Sequence, residues 1–502
     1  MRHTSLSVLL FALVFGGLGC GGGPSDGAGD TSPYVVETIQ TPGGLVPEVG
    51  GLDVMPDGRL VGVFHRGEVM TYDPQTEEWT VFGKGLHDPL GVKAVTNHEV
   101  LVMQRPELTR LRDTDKDGKA DRYETVTDDY GMTGNYHEFA FGPEEGPEGH
   151  LFISLNTASN RAGNWDRMRG RYNPEGRPGR MYAATPYRGW VMRYHPDTDS
   201  LEPFASGFRS PNGLAIDPKG RLFVTDNQGD WLGTSKLYHV EKGNFYGHPQ
   251  SLVWEEGLGD VQPLDLPVPV LNEMRKRAAV LFPQGLLANS PTQPIVDTTG
   301  GQFGPFEGQM LIGEMNHPRI LRVMLERVDG ALQGMVTTLI DSSTAHEELP
   351  LRIGNNRLVF GPNGDLWVGQ TDHGWPGDQG IQRIRWTGET PMEVEEMHLT
   401  ENGFDLTFTR PLQSESARPD SAYQFTRYYY NYSREYGSDR MNVQPVDVTD
   451  VSLSASGRQV SLTLETLTPG YVYQLDLKGL RAEDGTPVAH PTLYYTLNRR
   501  RP

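Results

Sequence analysis

Cysteine is nearly absent from this chain. Cys20 is the only cysteine among 502 residues, so its thiol has no partner within the chain and a disulfide framework is excluded. Its place close to the first methionine makes it a candidate for modification rather than for cross-linking.

The chain also lacks an excess of positive charge and, beyond its first residues, a long apolar run. Its 45 Lys and Arg residues stand against 65 Asp and Glu residues, which gives a formal net charge of −20. Such a surface repels polyanions, which argues against nucleic acid or an anionic membrane as a partner. After the apolar run 6–14, no segment is long enough to span a bilayer. The charge suits a secreted surface that binds cations.

The first residues have the pattern of a secretory signal. Residues 1–19 combine a short basic start, the apolar run and small residues that end before Cys20, which predicts a signal peptide. The segment resembles a bacterial lipoprotein signal, which implies that Cys20 receives lipid and that residues 20–33 form a lipidated flexible tether. We therefore expect a bacterial cell-envelope protein, anchored only by this lipid on the outer membrane, periplasmic or cell-surface side, or a secreted one. The alternative is an ordinary signal peptide with an incidental cysteine.

The sequence also lacks long stretches with helical periodicity. The chain contains 60 glycines and 37 prolines, and these residues separate short apolar segments rather than long amphipathic ones. That composition favours strands and turns, and hence an all-β fold. The length of 502 residues suits two domains rather than one.

The segment 208–230 shows a repeated unit most clearly. Leu214 and Ile216 alternate before the turn 218–220, and Leu222 and Val224 alternate after it, which predicts a β-hairpin. Related patterns begin near residues 51, 91, 137, 300 and 356. About six such units predict a six-bladed β-propeller over residues 34–386, in which the long insertions fall on one face and can roof a central pocket.

The pattern of the sequence changes after Trp386. Residues 387–502 contain about seven short strand-like segments separated by turn signals, without cysteine. This pattern predicts a small β-sandwich of the immunoglobulin or fibronectin type. The expected fold class is therefore all-β, with a six-bladed β-propeller followed by this sandwich.

The segment 113–124 has the spacing of a calcium-binding loop. Carboxylates occupy its positions one, three, five, nine and twelve, and Gly118 occupies position six, where such loops turn sharply. The predicted side-chain ligands are Asp113, Asp115, Asp117, Asp121 and Glu124. Since the preceding residues are strand-like, we expect a structural calcium loop at a blade edge that orders the approach to residues 134–137. The alternative is an acidic surface loop without a metal.

Polar side chains recur at matching positions of the units. In a hairpin, the start of the first strand and the end of the second lie at the same edge, so residues placed there converge. Each one alone is typical of a solvated loop or an inter-blade hydrogen bond, but equivalent positions in a propeller ring its axis. The candidate site residues are His137, Arg209, Asn212, Asp226, Asn227, Gln228, Gly229 and Arg357.

Several segments of the chain resemble one enzyme family. They are HEFAFGP at residues 137–143, the segment 208–230, NFYGHP at 244–249 and LVFGPNGDLWVGQTD at 358–372. They are similar to the quinoprotein glucose/sorbosone dehydrogenases, soluble six-bladed propellers that use pyrroloquinoline quinone (PQQ) and calcium. With the blades between them, the resemblance extends over residues 45–386.

The resemblance implies roles for individual residues in the oxidation of a sugar hydroxyl or aldehyde. His137 would be the general base that takes the hydroxyl proton, and Arg209 would stabilise the quinone oxygen as charge develops there. Asn212 and the loop 226–229 would border the cofactor and its calcium. Arg357 lies near the place where the family has paired arginines.

Two other classes of function are compatible with the same residues. The segment around Pro211 also resembles gluconolactonase-type propellers, in which Asn212 and Asp226 would hold a divalent metal that polarises a lactone carbonyl. A non-catalytic propeller that binds glycans or protein is the third alternative, because one fold can host all three. The expected partner is a small carbohydrate substrate or a glycan, and the expected state is a monomer.

Overall fold

The computed structural model describes residues 32–160, 167–258, 261–343 and 350–501. The predicted signal peptide, the lipidation site Cys20 and almost all of the tether lie outside these residues. Strands dominate the described chain, and the helices are short. No helix within the described ranges is long and apolar enough to cross a membrane.

The first strand, β1 (Tyr34–Ile39), does not pair with the strands that directly follow it in sequence. The next eight strands form two antiparallel four-stranded sheets, each in chain order. These strands are β2 (Val49–Val54), β3 (Leu60–Phe64), β4 (Val69–Asp73), β5 (Glu78–Gly83), β6 (Gly91–Thr96), β7 (Glu99–Met103), β8 (Leu108–Arg112) and β9 (Arg122–Thr127).

The third sheet contains a long insertion. Its elements are β10 (Met132–Thr133), β11 (Ala140–Glu145), the 3-10 helix Pro147–Gly149, β12 (Leu151–Leu155), β13 (Ala158–Ser159), β14 (Met168–Arg169), the 3-10 helix Pro174–Gly176, β15 (Met181–Tyr182), β16 (Trp190–His195) and β17 (Ser200–Ser206). The sheet itself has the order β11-β12-β16-β17, while β10 pairs with β14 and β13 with β15.

The fourth sheet, β18 to β21, is followed by β22 to β25 and then by β26 to β28. The elements are β18 (Gly213–Ile216), β19 (Leu222–Asp226), β20 (Ser235–Val240), the 3-10 helices Pro249–Trp254 and Pro263–Asp265, α1 (Val268–Met274), β21 (Val280–Phe282), β22 (Pro291–Val296), β23 (Met310–Glu314), β24 (Arg319–Val328), β25 (Ala331–Asp341), β26 (Asn355–Phe360), β27 (Leu366–Gln370) and β28 (Gly380–Trp386).

The six sheets close into a ring, which confirms the predicted β-propeller. β1 completes the sixth sheet by pairing antiparallel with β28, from Tyr34 opposite Trp386 to Ile39 opposite Ile381. The innermost strands β2, β6, β11, β18, β22 and β26 each contact the next, and β26 contacts β2. The strands approach closely at the axis because some positions have no side chain. A Cβ on Gly91 would lie 1.7 Å from the carbonyl oxygen of Gly142.

The hairpin 208–230 folds as its alternation predicts. Leu214 lies opposite Val224, and Ile216 lies opposite Leu222. The turn between these strands is held by Asp217, whose Oδ1 accepts the N–H groups of Lys219 at 3.0 Å and of Arg221 at 2.9 Å. Leu214, Leu222 and Val224 pack into the core between the third and fourth sheets. This packing leaves the polar ends of both strands at the rim.

Residues beyond the sixth sheet form two more antiparallel sheets, β29-β30-β34-β33 and β36-β35-β31-β32. Their elements are β29 (Val394–Leu399), β30 (Gly403–Phe408), α2 (Ser414–Ala417), the 3-10 helix Asp420–Ala422, β31 (Tyr423–Tyr430), β32 (Arg440–Val446), β33 (Val448–Leu453), β34 (Gln459–Leu464), β35 (Tyr471–Leu477) and β36 (Thr492–Leu497). Phe404, Phe425 and Tyr495 belong to the hydrophobic core that these two sheets share. The immunoglobulin or fibronectin type and the domain boundary at residue 387 stay predictions.

The propeller and the C-terminal sheets share a continuous sheet. β25 pairs with β36, with Met335 opposite Tyr495, so the fifth sheet continues into an eight-stranded one. Buried Arg322 on β24 strengthens the connection, because its Nη2 donates to the carbonyl of Val394 at 2.7 Å. The C-terminal sheets are therefore attached to the fifth blade by backbone hydrogen bonds.

Candidate functional site

A cavity of about 930 Å³ lies at one end of the propeller axis. The residues that line it lie where the first strand of a blade begins and where the second strand ends, as the hairpin geometry predicts. Among the predicted residues, His137, Arg209, Asn212, Asn227 and Gln228 line it. Asp226, Gly229 and Arg357 lie behind its wall or below its floor. The roles that the resemblance gives to all of these residues stay predictions.

His137 presents one free ring nitrogen to the cavity. Its Nδ1 lies 2.7 Å from the carbonyl oxygen of Thr157, and a carbonyl only accepts, so Nδ1 carries the hydrogen. Nε2 has no hydrogen-bond partner within the described part of the chain. Burial, followed by the charge of Arg209, lowers the pKa of His137 to about 3. The imidazole is therefore neutral, with the lone pair of Nε2 available as a base.

Arg209 brings a positive charge into the same wall. Its side chain forms no hydrogen bond or ion pair with any described residue, and its Nε is buried without a partner. The backbone around it is well fixed, since both the N–H and the hydroxyl of Thr157 donate to the Arg209 carbonyl, at 3.1 and 2.9 Å. Thr157 therefore connects His137 to Arg209.

Asp226 fixes the backbone that carries Arg209. Its Oδ2 accepts the N–H of Arg209 at 3.0 Å, and its Oδ1 accepts the N–H of Ser210 at 2.7 Å. Burial raises the pKa of Asp226, against the lowering effect of these two N–H groups. Both carboxylate oxygens are used inside the protein, so Asp226 positions the site and does not line the cavity.

Gly229 leaves space for the Arg209 side chain. A Cβ at this position would lie 2.7 Å from Nε and 2.8 Å from Cδ of Arg209. The Gly229 carbonyl accepts the N–H of Gly437, at 2.9 Å, from a loop of the C-terminal sheets. The same loop carries Tyr436, whose ring centre lies 4.1 Å from Cζ of Arg180 and 5.8 Å from Cζ of Arg209. The C-terminal part of the chain thus contributes a wall of the cavity.

Asn227 and Gln228 give the cavity an amide edge. The Asn227 amide nitrogen donates to Oγ of Ser290 at 3.0 Å, while its Oδ1 is buried without a partner. Gln228 donates from Nε2 to the Gly233 carbonyl at 3.2 Å. Asn227 therefore has an unused acceptor at the edge of the cavity.

Arg357 lies in the propeller axis beneath the cavity. Its guanidinium donates to carbonyls of Gly50 at 2.7 Å, Leu90 at 3.0 Å and Asn212 at 3.4 Å, and thus to three blades besides its own. Burial lowers the pKa of Arg357 to about 9. A second cavity of about 420 Å³, which Arg357 lines, lies on the far side. Arg357 is therefore a brace that separates two cavities.

The lactonase alternative gains no support from these contacts. It requires Asn212 and Asp226 to direct oxygens at one metal ion. The Asn212 Oδ1 instead accepts from Nη1 of Arg357 at 3.2 Å, and Asp226 is bound to backbone. A cation at the Asn212 oxygen would face a guanidinium at short range, which is unfavourable.

The predicted calcium loop brings three of its five carboxylates together. Ligand atoms of Asp113, Asp115 and Asp117 lie within 4.8 Å of one another. Asp121 accepts from the N–H and hydroxyl of Thr114. Glu124 pairs with two arginines, Arg112 at 3.3 Å and Arg122 at 2.7 Å.

The position of this loop corrects its predicted role. It connects β8 to β9, and the N–H of Asp113 donates to the carbonyl of His98 in the β6–β7 turn at 2.9 Å. That turn lies at the end of the sheet opposite the cavity. The loop therefore does not order the approach to His137, and any effect of calcium there is on the second blade.

Several cavity residues were not predicted from the sequence. Arg180 comes from the insertion of the third sheet and pairs with Asp230 at 3.3 Å. Tyr436 comes from the C-terminal sheets, and no pattern near it indicates the axis of the propeller. His65 follows β3 directly, and its position at a strand end was the signal that could have identified it.

Comparisons with known proteins concern mainly the propeller. A family model described as a domain of unknown function, DUF7133, matches residues 26–264. No curated protein matches the chain.

Among solved structures, three similar ones represent both enzyme classes. A proposed oxidoreductase (glucose dehydrogenase) from Thermus thermophilus is 19% identical, with 70% of this chain and 99% of that chain covered and a TM-score of 0.47. PQQ-bound aldose sugar dehydrogenase from Streptomyces coelicolor is 16% identical, with 70% and 98% covered and a TM-score of 0.48. A proposed gluconolactonase is 14% identical, with 71% and 93% covered and a TM-score of 0.41.

Proposed function

We propose that this chain is a secreted oxidoreductase that oxidises a sugar hydroxyl or aldehyde in the axial cavity with PQQ. The observation that carries the proposal is the pairing of His137 with Arg209. One wall holds a neutral imidazole with a free nitrogen beside a buried guanidinium that forms no ion pair with a described residue. A base takes the hydroxyl proton when an alcohol is oxidised, and a cation stabilises the negative charge that develops.

The residues of the cavity fit an anionic quinone. PQQ is a flat molecule with three carboxylates, and a cavity of about 930 Å³ is within the range that cofactors occupy. Arg209 and Arg180 would hold its charged edge, Tyr436 would flank its plane, and Asn227 and Gln228 would meet its polar rim. When bound, the group supplies an acceptor for the two electrons and the hydrogen of a C–H bond.

The roles of the protein groups follow from their contacts. His137 Nε2 accepts the hydroxyl proton, and the resulting imidazolium keeps its Nδ1–H on the Thr157 carbonyl, which fixes the ring orientation. Arg209 stabilises negative charge that develops nearby. Because Arg209 lowers the pKa of His137, an anion paired with Arg209 raises that pKa and makes His137 a stronger base.

The test is turnover after reconstitution. Purified protein incubated with PQQ and Ca²⁺ is assayed by dye reduction against a panel of aldoses. We expect activity that falls about 10²- to 10⁴-fold in His137→Gln. It should stay unchanged in His150→Gln, a matched histidine at the β11–β12 turn, at the far end of its sheet.

Three outcomes would contradict this function. Hydrolysis of sugar lactones without quinone would favour a hydrolase, and saturable glycan binding that persists in His137→Gln without turnover would favour a binding protein. Absence of both quinone absorbance and dye reduction after reconstitution would remove the dehydrogenase assignment.

We also propose that the loop 113–124 binds calcium. Asp113, Asp115 and Asp117 converge there, and oxygen-only ligand sets suit calcium. Burial tends to raise the pKa of Asp113, but the hydrogen bond from His98 and the N–H groups of Gly118 and Asp117 lower it overall, so the carboxylate is ionised. The ion would stabilise the β8–β9 turn.

Export is the remaining part of the proposal. The basic start, apolar run and small residues before Cys20 support cleavage and lipidation at the cell envelope. Mass spectrometry of the mature protein tests this, with a diacylated N-terminal cysteine as the expected result. A mature chain that begins elsewhere and carries no lipid would leave only the ordinary secretory signal.

A further inference from the structure

A cluster of two histidines and one aspartate lies beside the residues assigned so far. His65 follows β3, Asp88 precedes β6, and His373 follows β27, so three loops at one rim of the propeller contribute one residue each. One ligand atom from each side chain lies within 4.8 Å of the other two. His65 and His373 also line the axial cavity.

The two imidazoles converge on a single carboxylate oxygen. Nδ1 of His65 lies 2.7 Å from Oδ1 of Asp88, and Nε2 of His373 lies 3.5 Å from the same oxygen. The rings stack with centroids 4.0 Å apart, so both nitrogens point to the same small volume. Two ring nitrogens and a carboxylate oxygen this close together can contact one ion.

The surroundings resemble those of a metal site. Oε1 of Glu48 lies 3.7 Å from Nδ1 of His373, on the ring edge away from Asp88, and a carboxylate behind a histidine ligand orients its ring. Nε2 of His65 is buried without a partner, so no contact in the described chain prevents Nε2 from taking the ring hydrogen when Nδ1 binds an ion. Arg66 pairs with Glu48 at 3.6 Å and not with Asp88. The Asp88 carboxylate therefore faces the two histidines.

We propose that His65, Asp88 and His373 bind a divalent transition metal at the edge of the axial cavity. Two imidazoles select zinc, iron or nickel over calcium and magnesium, which prefer oxygen ligands. The ion takes the place of the hydrogen between His65 and Asp88, and that hydrogen moves to Nε2 of His65. Three protein ligands leave positions open on the cavity side, where the ion acts as a Lewis acid toward an oxygen of the bound substrate.

The experiment uses Co²⁺ as a coloured probe, without quinone or sugar. The full-length protein is stripped with chelator and returned to excess Ca²⁺, which keeps the loop 113–124 occupied. Visible absorption then measures Co²⁺ binding, and elemental analysis measures stoichiometry. We expect one Co²⁺ per chain, displaced by Zn²⁺. Because no turnover is measured, failure here is distinguishable from failure of the dehydrogenase assay.

Variants locate the ion. His65→Gln, Asp88→Asn and His373→Gln should each weaken Co²⁺ binding by more than about 100-fold, and Glu48→Gln by about 10-fold. His373 is 30% exposed, so its substitution tests the site even if the buried His65→Gln variant does not fold.

Two histidines serve as matched controls, exposed His87→Gln beside Asp88 and His98→Gln. His98 forms the other histidine–carboxylate pair, with Asp113 at 2.9 Å. Both variants should bind Co²⁺ like the parent. The proposal is overturned if the parent binds no Co²⁺, if His373→Gln retains full affinity, or if His98→Gln removes the spectrum.

Discussion

Arg209 carries a charge into the protein, and its guanidinium forms no hydrogen bond or ion pair with a described residue. Burial of an unpaired ion costs several kcal/mol, and a fold keeps such an ion where a ligand supplies the opposite charge. The residue is 8% exposed, so the guanidinium reaches the cavity only by its tip. At the scale of single residues, this arginine gives the strongest indication of an anionic ligand.

Substitution of Gly229 tests whether the orientation of Arg209 matters. In Gly229→Ala the new Cβ would meet Nε and Cδ of Arg209 within 2.8 Å, so the guanidinium must shift while the charge remains. We expect PQQ affinity to fall about 10-fold, with unfolding in urea little changed. Gly43→Ala, where a Cβ meets nothing within 4 Å, is the control. Unchanged affinity in Gly229→Ala would show that the position of the guanidinium is not used.

The neutral histidines predict how stability depends on pH. Burial lowers the pKa of His137 and of His248 to about 3 in the folded protein, while histidine in an unfolded chain has a pKa of about 6.5. Between those values only the unfolded state takes up the proton. The free energy of unfolding is therefore insensitive to these residues above pH ~6.5 and falls below it by up to about 1.4 kcal/mol per pH unit for each histidine.

Urea unfolding at a series of pH values checks this slope. His248→Gln should lose one histidine's share of the acid-side slope. Equal slopes in the parent and in this variant would mean that His248 is protonated in the folded state.

At the scale of elements, Arg357 holds the blades around the axis. It donates to carbonyls at the starts of the innermost strands of the first, second and fourth blades and of its own. Such carbonyls have no neighbour strand to pair with at the axis, so a long fork of donors satisfies several of them at once. The residue was predicted to bind cofactor, but its contacts are with the protein.

Replacement of this arginine should destabilise the whole propeller. Arg357→Met leaves several buried carbonyls without a donor, and each such group costs about 1–3 kcal/mol, partly offset by removal of a buried charge. We expect a loss of about 2–4 kcal/mol in urea unfolding. Arg357→Lys keeps the charge without the fork and should recover little of that loss. A variant as stable as the parent would contradict the role of Arg357 as a brace.

The elements themselves were predictable from the sequence because their information is local. Alternation around the turn 218–220 determined a hairpin, and its repetition determined a propeller. The convergence of His137, Arg209 and Asn212 also followed, since strand starts and strand ends share a rim. The hydrogen bonds of Asp226 to backbone N–H groups could not be predicted. A carboxylate that accepts from nearby N–H groups has the same sequence pattern as one that faces a ligand.

At the scale of the molecule, the propeller and the C-terminal sheets form one structural unit around the site. β25 and β36 share a sheet, and the loop with Tyr436 covers Arg180 at the cavity wall. Sequence patterns within one segment do not show such contacts, because they join residues far apart in the chain. For the same reason, the cluster of His65, Asp88 and His373 could not be predicted from the sequence. These three residues come together only when the propeller ring closes.

Calcium should stabilise the molecule through the second blade. Chelation of a protein with an occupied loop removes binding energy that only the folded state gains, so we expect EDTA to lower Tm and excess Ca²⁺ to restore it. Asp115→Asn and Asp117→Asn should abolish this response, and the exposed Asp129→Asn should not. A Tm that is independent of calcium in the parent would leave the loop without a metal.

Direct titration with PQQ tests most simply whether Arg209 binds an anionic quinone in the axial cavity. The parent protein in Ca²⁺ should show saturable binding by absorbance. Arg209→Met should bind about 10- to 100-fold more weakly, because a charge-assisted hydrogen bond is lost. Arg385→Met, which removes an exposed arginine paired with Glu37, should bind like the parent. No saturable binding by the parent, or equal binding by Arg209→Met, would contradict the account.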